Sequence, residues 1–271
     1  MSPTTPPMLL LLLLLMLMSC QGVTGQNVAC MTLRCFSQMT KCFSDHDCRT
    51  AVSCLGGCGS NQSCALPCLA TYENDLLDSF LYCVITQHHC ITLPAPTPPV
   101  VCSPPTEKPL NNFTLSMFAG DWYVILGLNR NYDCFACQMT AYAAVPDTNN
   151  FTMTEKYLAP TLNQSLRVRV ANMSGEVKDI QHGGIVTFSG LENGLIRDEQ
   201  WRIMVYNKDA GYAVIYYCGT TGSWKYEGTL VYSRTPSVSL MTMTSLRTDM
   251  ERAGFNVKDF CSPRTHSCVY A

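Results

Sequence analysis

Residues 201–217 read Trp-Arg-Ile-Met-Val-Tyr-Asn-Lys-Asp-Ala-Gly-Tyr-Ala-Val-Ile-Tyr-Tyr, two runs of β-branched and aromatic residues around the turn Asn207-Lys208-Asp209-Ala210-Gly211. That pattern is a β-hairpin. Runs of the same kind recur on either side, at 122–128, 137–145, 151–157, 166–170, 185–188 and 229–233, broken by Gly, Asn, Asp or Pro. Eight short strands within about 110 residues predict a barrel. Beyond them, residues 238–253 carry Leu240, Met243, Leu246 and Met250 at helical spacing, which predicts a C-terminal helix. A small closed barrel with a terminal helix commonly encloses one apolar ligand.

Ahead of the barrel, prolines at 94, 96, 98, 99, 104, 105 and 109 exclude a regular helix and mark a linker, residues 94–110. Upstream of that, Cys30, Cys35, Cys42, Cys48, Cys54, Cys58, Cys64, Cys68, Cys83 and Cys90 crowd into residues 26–93. Their spacing suits short helices with turns at Gly56-Gly57 and Gly59, and residues 72–81 read as one longer helix burying Leu76, Leu77, Phe80 and Leu81. So small a core is marginal by burial alone, and each bridge can add roughly 2–4 kcal/mol.

Residues 8–18 are leucine and methionine throughout, about the length of a signal-peptide core and short of the ~20 residues of a membrane span. Val23-Thr24-Gly25 suits cleavage before Gln26, so residues 1–25 are expected to be a signal peptide; Leu17-Met18-Ser19-Cys20 also resembles a lipobox. Of seventeen cysteines, loss of Cys20 leaves sixteen, an even number that favours disulfides and an oxidising compartment. Sequons at Asn61, Asn112, Asn150, Asn163 and Asn172 suit a secreted glycoprotein. The barrel domain is then residues 111–271.

A net charge of −2 with 14% charged residues leaves no basic surface for nucleic acid. No G-x-S-x-G elbow, P-loop or dinucleotide fingerprint is present. His46 between Asp45 and Asp47, and His88-His89, read as polar turns rather than metal ligands, and no metal is expected. Cys134-Phe135-Ala136-Cys137 has redox spacing without the strand-turn-helix setting that lowers a thiol's pKa.

Gly120-Asp121-Trp122-Tyr123 with Gly127-Leu128-Asn129 resembles the G-x-W signature of lipocalins, and Tyr232-Ser233-Arg234 resembles their late-strand arginine. Together with the cysteine module, with Glu73-Asn74, Asp78-x-Phe80, Tyr132-Asp133-x-Phe135-x-Cys137-Gln138, Trp201 and Tyr216-Tyr217-x-Gly219, the chain resembles the violaxanthin de-epoxidase family. The implied fold is mainly β: a lipocalin-like eight-stranded antiparallel barrel preceded by a small disulfide-rich α-helical domain, with a C-terminal helix. The implied bridges are Cys30 with Cys48, Cys35 with Cys42, Cys54 with Cys68, Cys58 with Cys64, Cys83 with Cys90, and Cys137 with Cys261 or Cys268. An added bridge between Cys134 and Cys218 is a further expectation.

That family reduces carotenoid epoxides with ascorbate, so the resemblance implies ascorbate as co-substrate and an elongated apolar ligand, a carotenoid or another isoprenoid. The chemistry needs a proton donor inside an apolar tunnel, where burial keeps a carboxyl protonated. The positions implied for the acid pair are Glu199, or Asp198 after a one-residue shift, and Tyr217. Asp133 matches a family aspartate beside the barrel mouth, whereas Ala136, Thr140 and Ala143 stand where the family has a second aspartate and two histidines. Asp198 and Glu199 also read as solvated turn residues, and Tyr217 as a wall residue. Ligand contacts are implied for Trp122, Tyr123, Gln138 and Trp201. The expected function is de-epoxidation; the alternative is a non-catalytic secreted carrier of a hydrophobic ligand, and a third reading makes the cysteine module a protein-binding surface. The expected route is secretory and extracellular, since few residues separate Gln26 from Cys30 and the family's acidic extension does not follow Ala271. The alternatives are a thylakoid lumen and membrane-surface contact.

Overall fold

A computed structural model describes residues 27–93, 100–111, 113–148, 150–181, 184–222, 224–265 and 268. The leader, Cys20, the prolines at 94–99 and the sequon at Asn112 lie outside the described residues. None of the helices described is long and apolar enough to cross a membrane.

Eight strands form one closed antiparallel barrel in chain order: β1 (Gly120–Gly127), β2 (Ala136–Ala144), β3 (Asn150–Pro160), β4 (Leu166–Gln181), β5 (Ile185–Glu192), β6 (Leu195–Asn207), β7 (Tyr212–Thr221) and β8 (Trp224–Ser233). Each predicted run falls on one of them, those at 122–128 and 137–145 overrunning β1 and β2 by one residue, and β6 begins six residues ahead of Trp201. Asp198 and Glu199 are therefore strand residues and not a solvated turn: Asp198 pairs with Thr220 and Glu199 with Gly219. Alternation puts Trp122, Val124, Phe151, Met153, Trp201, Ile203, Ala213 and Ile215 in one internal core.

The cysteine module is helical: α1 (Val28–Arg34), α2 (Phe36–Ser44), α3 (His46–Cys58), α4 (Gln62–Tyr72) and α5 (Asp75–Leu81), which runs into a π-helical turn, Tyr82–Gln87. Gly56 and Gly57 sit inside α3 rather than in a turn, and the helix stops at Gly59, whose φ is 57°. The single helix predicted over 72–81 is interrupted because Asn74 caps a new one, its side chain accepting from the Leu77 amide.

Bridges form between Cys30 and Cys90, Cys35 and Cys83, Cys42 and Cys48, Cys54 and Cys68, and Cys58 and Cys64. The last two are pairs that the resemblance implied. The implied Cys30–Cys48, Cys35–Cys42 and Cys83–Cys90 pairs do not form, and helix geometry says why. Cys35 caps α2 and Cys42 lies within it about two turns on, roughly 10 Å at 1.5 Å per residue, beyond the ~7 Å that a disulfide spans. Cys42 instead meets Cys48 around the Asp45 cap, with Cα atoms 5.1 Å apart. α1 lies against the π-helical turn, where the Asn27 amide donates to the Cys90 carbonyl, so Cys30 and Cys35 find Cys90 and Cys83.

In the barrel, Cys102 pairs with Cys218, Cys134 with Cys261 and Cys137 with Cys268. The expected Cys134–Cys218 bridge is thus replaced, and Cys137 takes Cys268 and not Cys261. The reason is the C-terminal segment, which runs along β1 with Gly127 and Cys261 exchanging backbone hydrogen bonds of 3.0 and 2.8 Å. That pairing delivers Cys261 to Cys134. α6 (Leu240–Arg252) covers the outside of the barrel, burying Leu246 and Met250 against Tyr212, Val214 and Val231. Leu240, expected on that stripe, is 85% exposed at the first turn of α6.

The two ends of the barrel differ. At one, Phe118 stacks on Trp122, whose indole donates to the Phe118 carbonyl at 2.9 Å, and Arg234 lies 3.7 Å from the centre of the Trp122 ring. This end is plugged by aromatic side chains. The other end carries the β1–β2, β3–β4, β5–β6 and β7–β8 connections, and the cysteine module sits on all four. Tyr132 donates to Gln62 at 2.9 Å, the Leu162 amide to Thr71 at 3.1 Å, and Thr86 to the Gly194 carbonyl at 2.7 Å; Trp224 packs against Cys58, Ala65 and Cys68. Arg169 pairs with Glu73 across the same junction.

Candidate functional site

Between the barrel core and the module lies a cavity of about 280 Å³. Leu55, Leu69, Phe80 and Ile85 line it from the module, and Phe135, Tyr157, Trp201, Ile215 and Tyr217 from the barrel. Phe135 and Gln138, three residues apart, both line it because β2 is bulged between Ala136 and Met139, with Cys137 at a φ of 56°. The Gln138 amide nitrogen donates to the Tyr132 carbonyl at 3.1 Å, while its oxygen has no partner among the described residues.

Asp133 and Tyr217, singled out in the sequence, are brought together. The Tyr217 hydroxyl donates to Asp133 Oδ1 at 2.7 Å, and the Asn129 amide to Oδ2 at 2.9 Å. Asp133 is 2% exposed, and burial pushes its carboxyl up to about 7 against the pull of those two hydrogen bonds. Burial and the neighbouring Asp133 push the Tyr217 phenol well above its ordinary range. The loop that carries Asp133 is held by the adjacent Cys134–Cys261 bridge. Gly228 makes room for the pair, since a Cβ there would lie 2.8 Å from Asp133 Oδ2 and within the phenol of Tyr217.

Glu199 also faces the cavity, 2% exposed, but as an acceptor. Its Oε1 takes Arg197 Nε at 2.7 Å and the Tyr226 hydroxyl at 2.6 Å, and its Oε2 takes Trp201 Nε1 at 2.6 Å. Both of its oxygens are thus engaged, by two side chains of its own strand and one of β8. Asp198 lies on the opposite face of β6, because Arg197, Glu199 and Trp201 are the residues that line the cavity. Trp122 belongs to the plugged end, and Tyr123 is half-buried on the other face of β1, so neither reaches the cavity. Trp201 and Gln138 do reach it.

Among the cavity residues not singled out in the sequence are Arg197, Glu192, Glu155 and Tyr226. Arg197 also donates to Glu192 Oε2 at 3.0 Å, so one guanidinium serves two carboxylates. Glu155 faces the same space from β3, and burial raises its carboxyl to about 7, with Arg197 pulling the other way and Glu192 and Glu199 adding to the rise. For Arg197 and Glu155 the sequence carries a signal. Arg197 is two residues before Glu199, on the same face of a strand, and Glu155 falls in the inward series Phe151, Met153, Tyr157. Among the described residues, Cys35, Cys83 and His88 cluster closely enough to hold a metal, but Cys35 and Cys83 are bridged to each other. Their sulfurs are not thiolates.

Residues 27–265 match the family described as the VDE lipocalin domain. The chain is 27% identical over 247 residues to the chloroplastic violaxanthin de-epoxidase of Arabidopsis thaliana, covering 86% of this chain and 50% of the relative. It is 24% identical over 245 residues to that of Nicotiana tabacum, covering 85% and 49%. The chain thus spans about half the length of these curated relatives. Among solved structures, lobster apocrustacyanin A1 is similar with a TM-score of 0.44 at 13% identity, over 57% of this chain and 81% of that one. The cockroach allergen Per a 4 gives 0.44 at 12%, over 60% and 94%.

Proposed function

Because the chain belongs to the VDE lipocalin domain family, we propose that its barrel takes an elongated isoprenoid epoxide, such as a carotenoid epoxide, and reduces it with ascorbate. The supporting observation is a cavity with aromatic lining onto which Asp133 and Glu155 face as carboxyls raised to about 7. An acid so poised donates to an epoxide oxygen at neutral pH, where an ordinary carboxyl is ionised. The step balances as follows. The epoxide oxygen gains a proton and one C–O bond breaks; ascorbate supplies two electrons and a second proton; the other C–O bond breaks, water leaves, and a carbon–carbon double bond remains beside dehydroascorbate. Asp133 and Tyr217 are the pair proposed to deliver the proton.

A second reading has its own support. Glu199 occupies the position to which the resemblance assigned the acid, yet it is engaged by Arg197, Trp201 and Tyr226. On that ground the barrel is a carrier that keeps the ligand pocket without the reaction. Under either reading the leader sends the protein through the secretory route, with glycans on exposed Asn61, Asn150, Asn163 and Asn172.

The test is oxidised, full-length protein with violaxanthin and ascorbate from about pH 5 to about pH 7.5. De-epoxidation is expected to fall as pH rises through about 7, because the protonated acid is the active form, and Asp133→Asn is expected to abolish it. Tight binding without product leaves the carrier.

A further inference from the structure

Arg197 shares its guanidinium between two carboxylates, Glu199 and Glu192, and a third, Glu155, gets none of it. Among the described residues no hydrogen bond reaches the Glu155 side chain. It occupies an inward position of β3, between Thr140 of β2 and Ala171 of β4. The groups that bear on it come from every side: Arg197 and Glu199 of β6, Glu192 at the end of β5, Tyr157 of its own strand, Tyr142 of β2 and Tyr232 of β8. Asp133 and Tyr217 line the same cavity. Most of the neighbouring hydroxyls are engaged: Tyr142 and Tyr232 bond to each other at 2.8 Å, Tyr217 to Asp133, and Tyr226 to Glu199, whereas no hydrogen bond of the Tyr157 hydroxyl is found among the described residues.

We propose that Glu155 is a hydrogen-bond donor that the cavity offers to a ligand's oxygen, and so a residue that selects an oxygenated isoprenoid over the bare hydrocarbon. This deepens the function proposed above and rests on it for the ligand's class. Glu155 is half-buried and lines the cavity with no hydrogen bond to its side chain among the described residues, so its acid proton is open to an acceptor on a ligand. Burial keeps the acid form populated at neutral pH, so the donor is present below about 7 and lost above it. One such bond discriminates by roughly tenfold.

The experiment compares β-carotene with its 5,6-epoxide, which share a skeleton and differ by one oxygen, through quenching of tryptophan fluorescence in the folded, oxidised protein at pH 6 and pH 8. The wild type is expected to prefer the epoxide by roughly tenfold at pH 6 and to lose most of that preference at pH 8. Glu155→Gln keeps an N–H donor but does not titrate, so its preference should be the same at both pH values. Glu155→Leu should show little preference at either. A preference retained in Glu155→Leu overturns the proposal. So does a pH dependence that survives in Glu155→Gln, since the proton would then be that of Asp133. Failure of the de-epoxidation assay with the epoxide preference intact sinks the enzyme reading alone; turnover with no effect of Glu155→Leu on preference sinks this proposal alone.

Discussion

Replacing Arg197 by methionine removes the one cation that Glu199 and Glu192 share, and its cost can be worked from the geometry. The Glu199 side chain has no exposure, Arg197 has 15% and Glu192 has 21%. Stripping the partner from a buried carboxylate costs about 3–5 kcal/mol. Glu192 can turn toward the cavity mouth, so Glu199 carries most of the loss, and about 3 kcal/mol is expected. In a domain of this size that is a fall in Tm of roughly 6–12 °C. Protonation relieves an unpaired carboxylate, so the deficit should be larger at pH 8 than at pH 5. The double variant Arg197→Met with Glu199→Met replaces the pair by apolar groups and should regain most of the loss, although Tyr226 and Trp201 then lose an acceptor. Calorimetric melts of wild type, both single variants and the double variant at the two pH values close the cycle. A deficit under about 1 kcal/mol at pH 8, or a double variant no more stable than Arg197→Met, would refute the assignment of Arg197 as the charge that allows Glu199 to be buried.

Two further outcomes follow from the junction and the bridges. Gly194→Ala should loosen the cysteine module from the barrel, because Gly194 has a φ of 74° and an added Cβ would run into the Asp78 carbonyl and the Tyr82 amide of the opposing helix; faster proteolysis in the 59–75 region, with the barrel's melting little changed, is the expected signature. A peptide map of the non-reduced protein should give Cys102 with Cys218, Cys134 with Cys261 and Cys137 with Cys268; a Cys134–Cys218 peptide would show that the C-terminal segment does not run along β1.

The barrel was legible because an antiparallel strand with one wet face alternates, and runs such as 151–157 and 212–217 keep that alternation or stay apolar throughout. The start of β6 was not, for a physical reason. Arg197, Asp198 and Glu199 carry charge on both faces of the strand, which in a sequence looks like a turn, and only the pairing of opposite charges inside the barrel makes burial tolerable. Glu155 is the converse case. Its place on the face of Phe151 and Met153 was readable, yet a lone glutamate is commonly solvated, and nothing nearby in the sequence announces the distant Arg197. Bridges depend on how helices pack, which spacing does not encode, so Cys35 could not be assigned to Cys83 across 48 residues.

The residues that mark the family and those that would do chemistry occupy different ends of the barrel. Trp122, Phe118 and Arg234 plug one end through bonds among themselves and to backbone, and they would serve equally under any ligand. The cavity is at the other end. At the two positions matched to family histidines this chain has Thr140, buried beside Trp122 and accepting from Tyr232, and Ala143, exposed further along β2, and neither lines the cavity. Without those imidazoles, a response to acid falls to the cavity carboxyls Asp133 and Glu155. Both are raised by burial, so both take up a proton as pH falls through about 7, the range in which histidine would otherwise act. A carboxyl that does so becomes a neutral donor, whereas a histidine becomes a cation. Acidification of this cavity therefore removes negative charge without adding positive charge, which favours an apolar ligand bearing an oxygen.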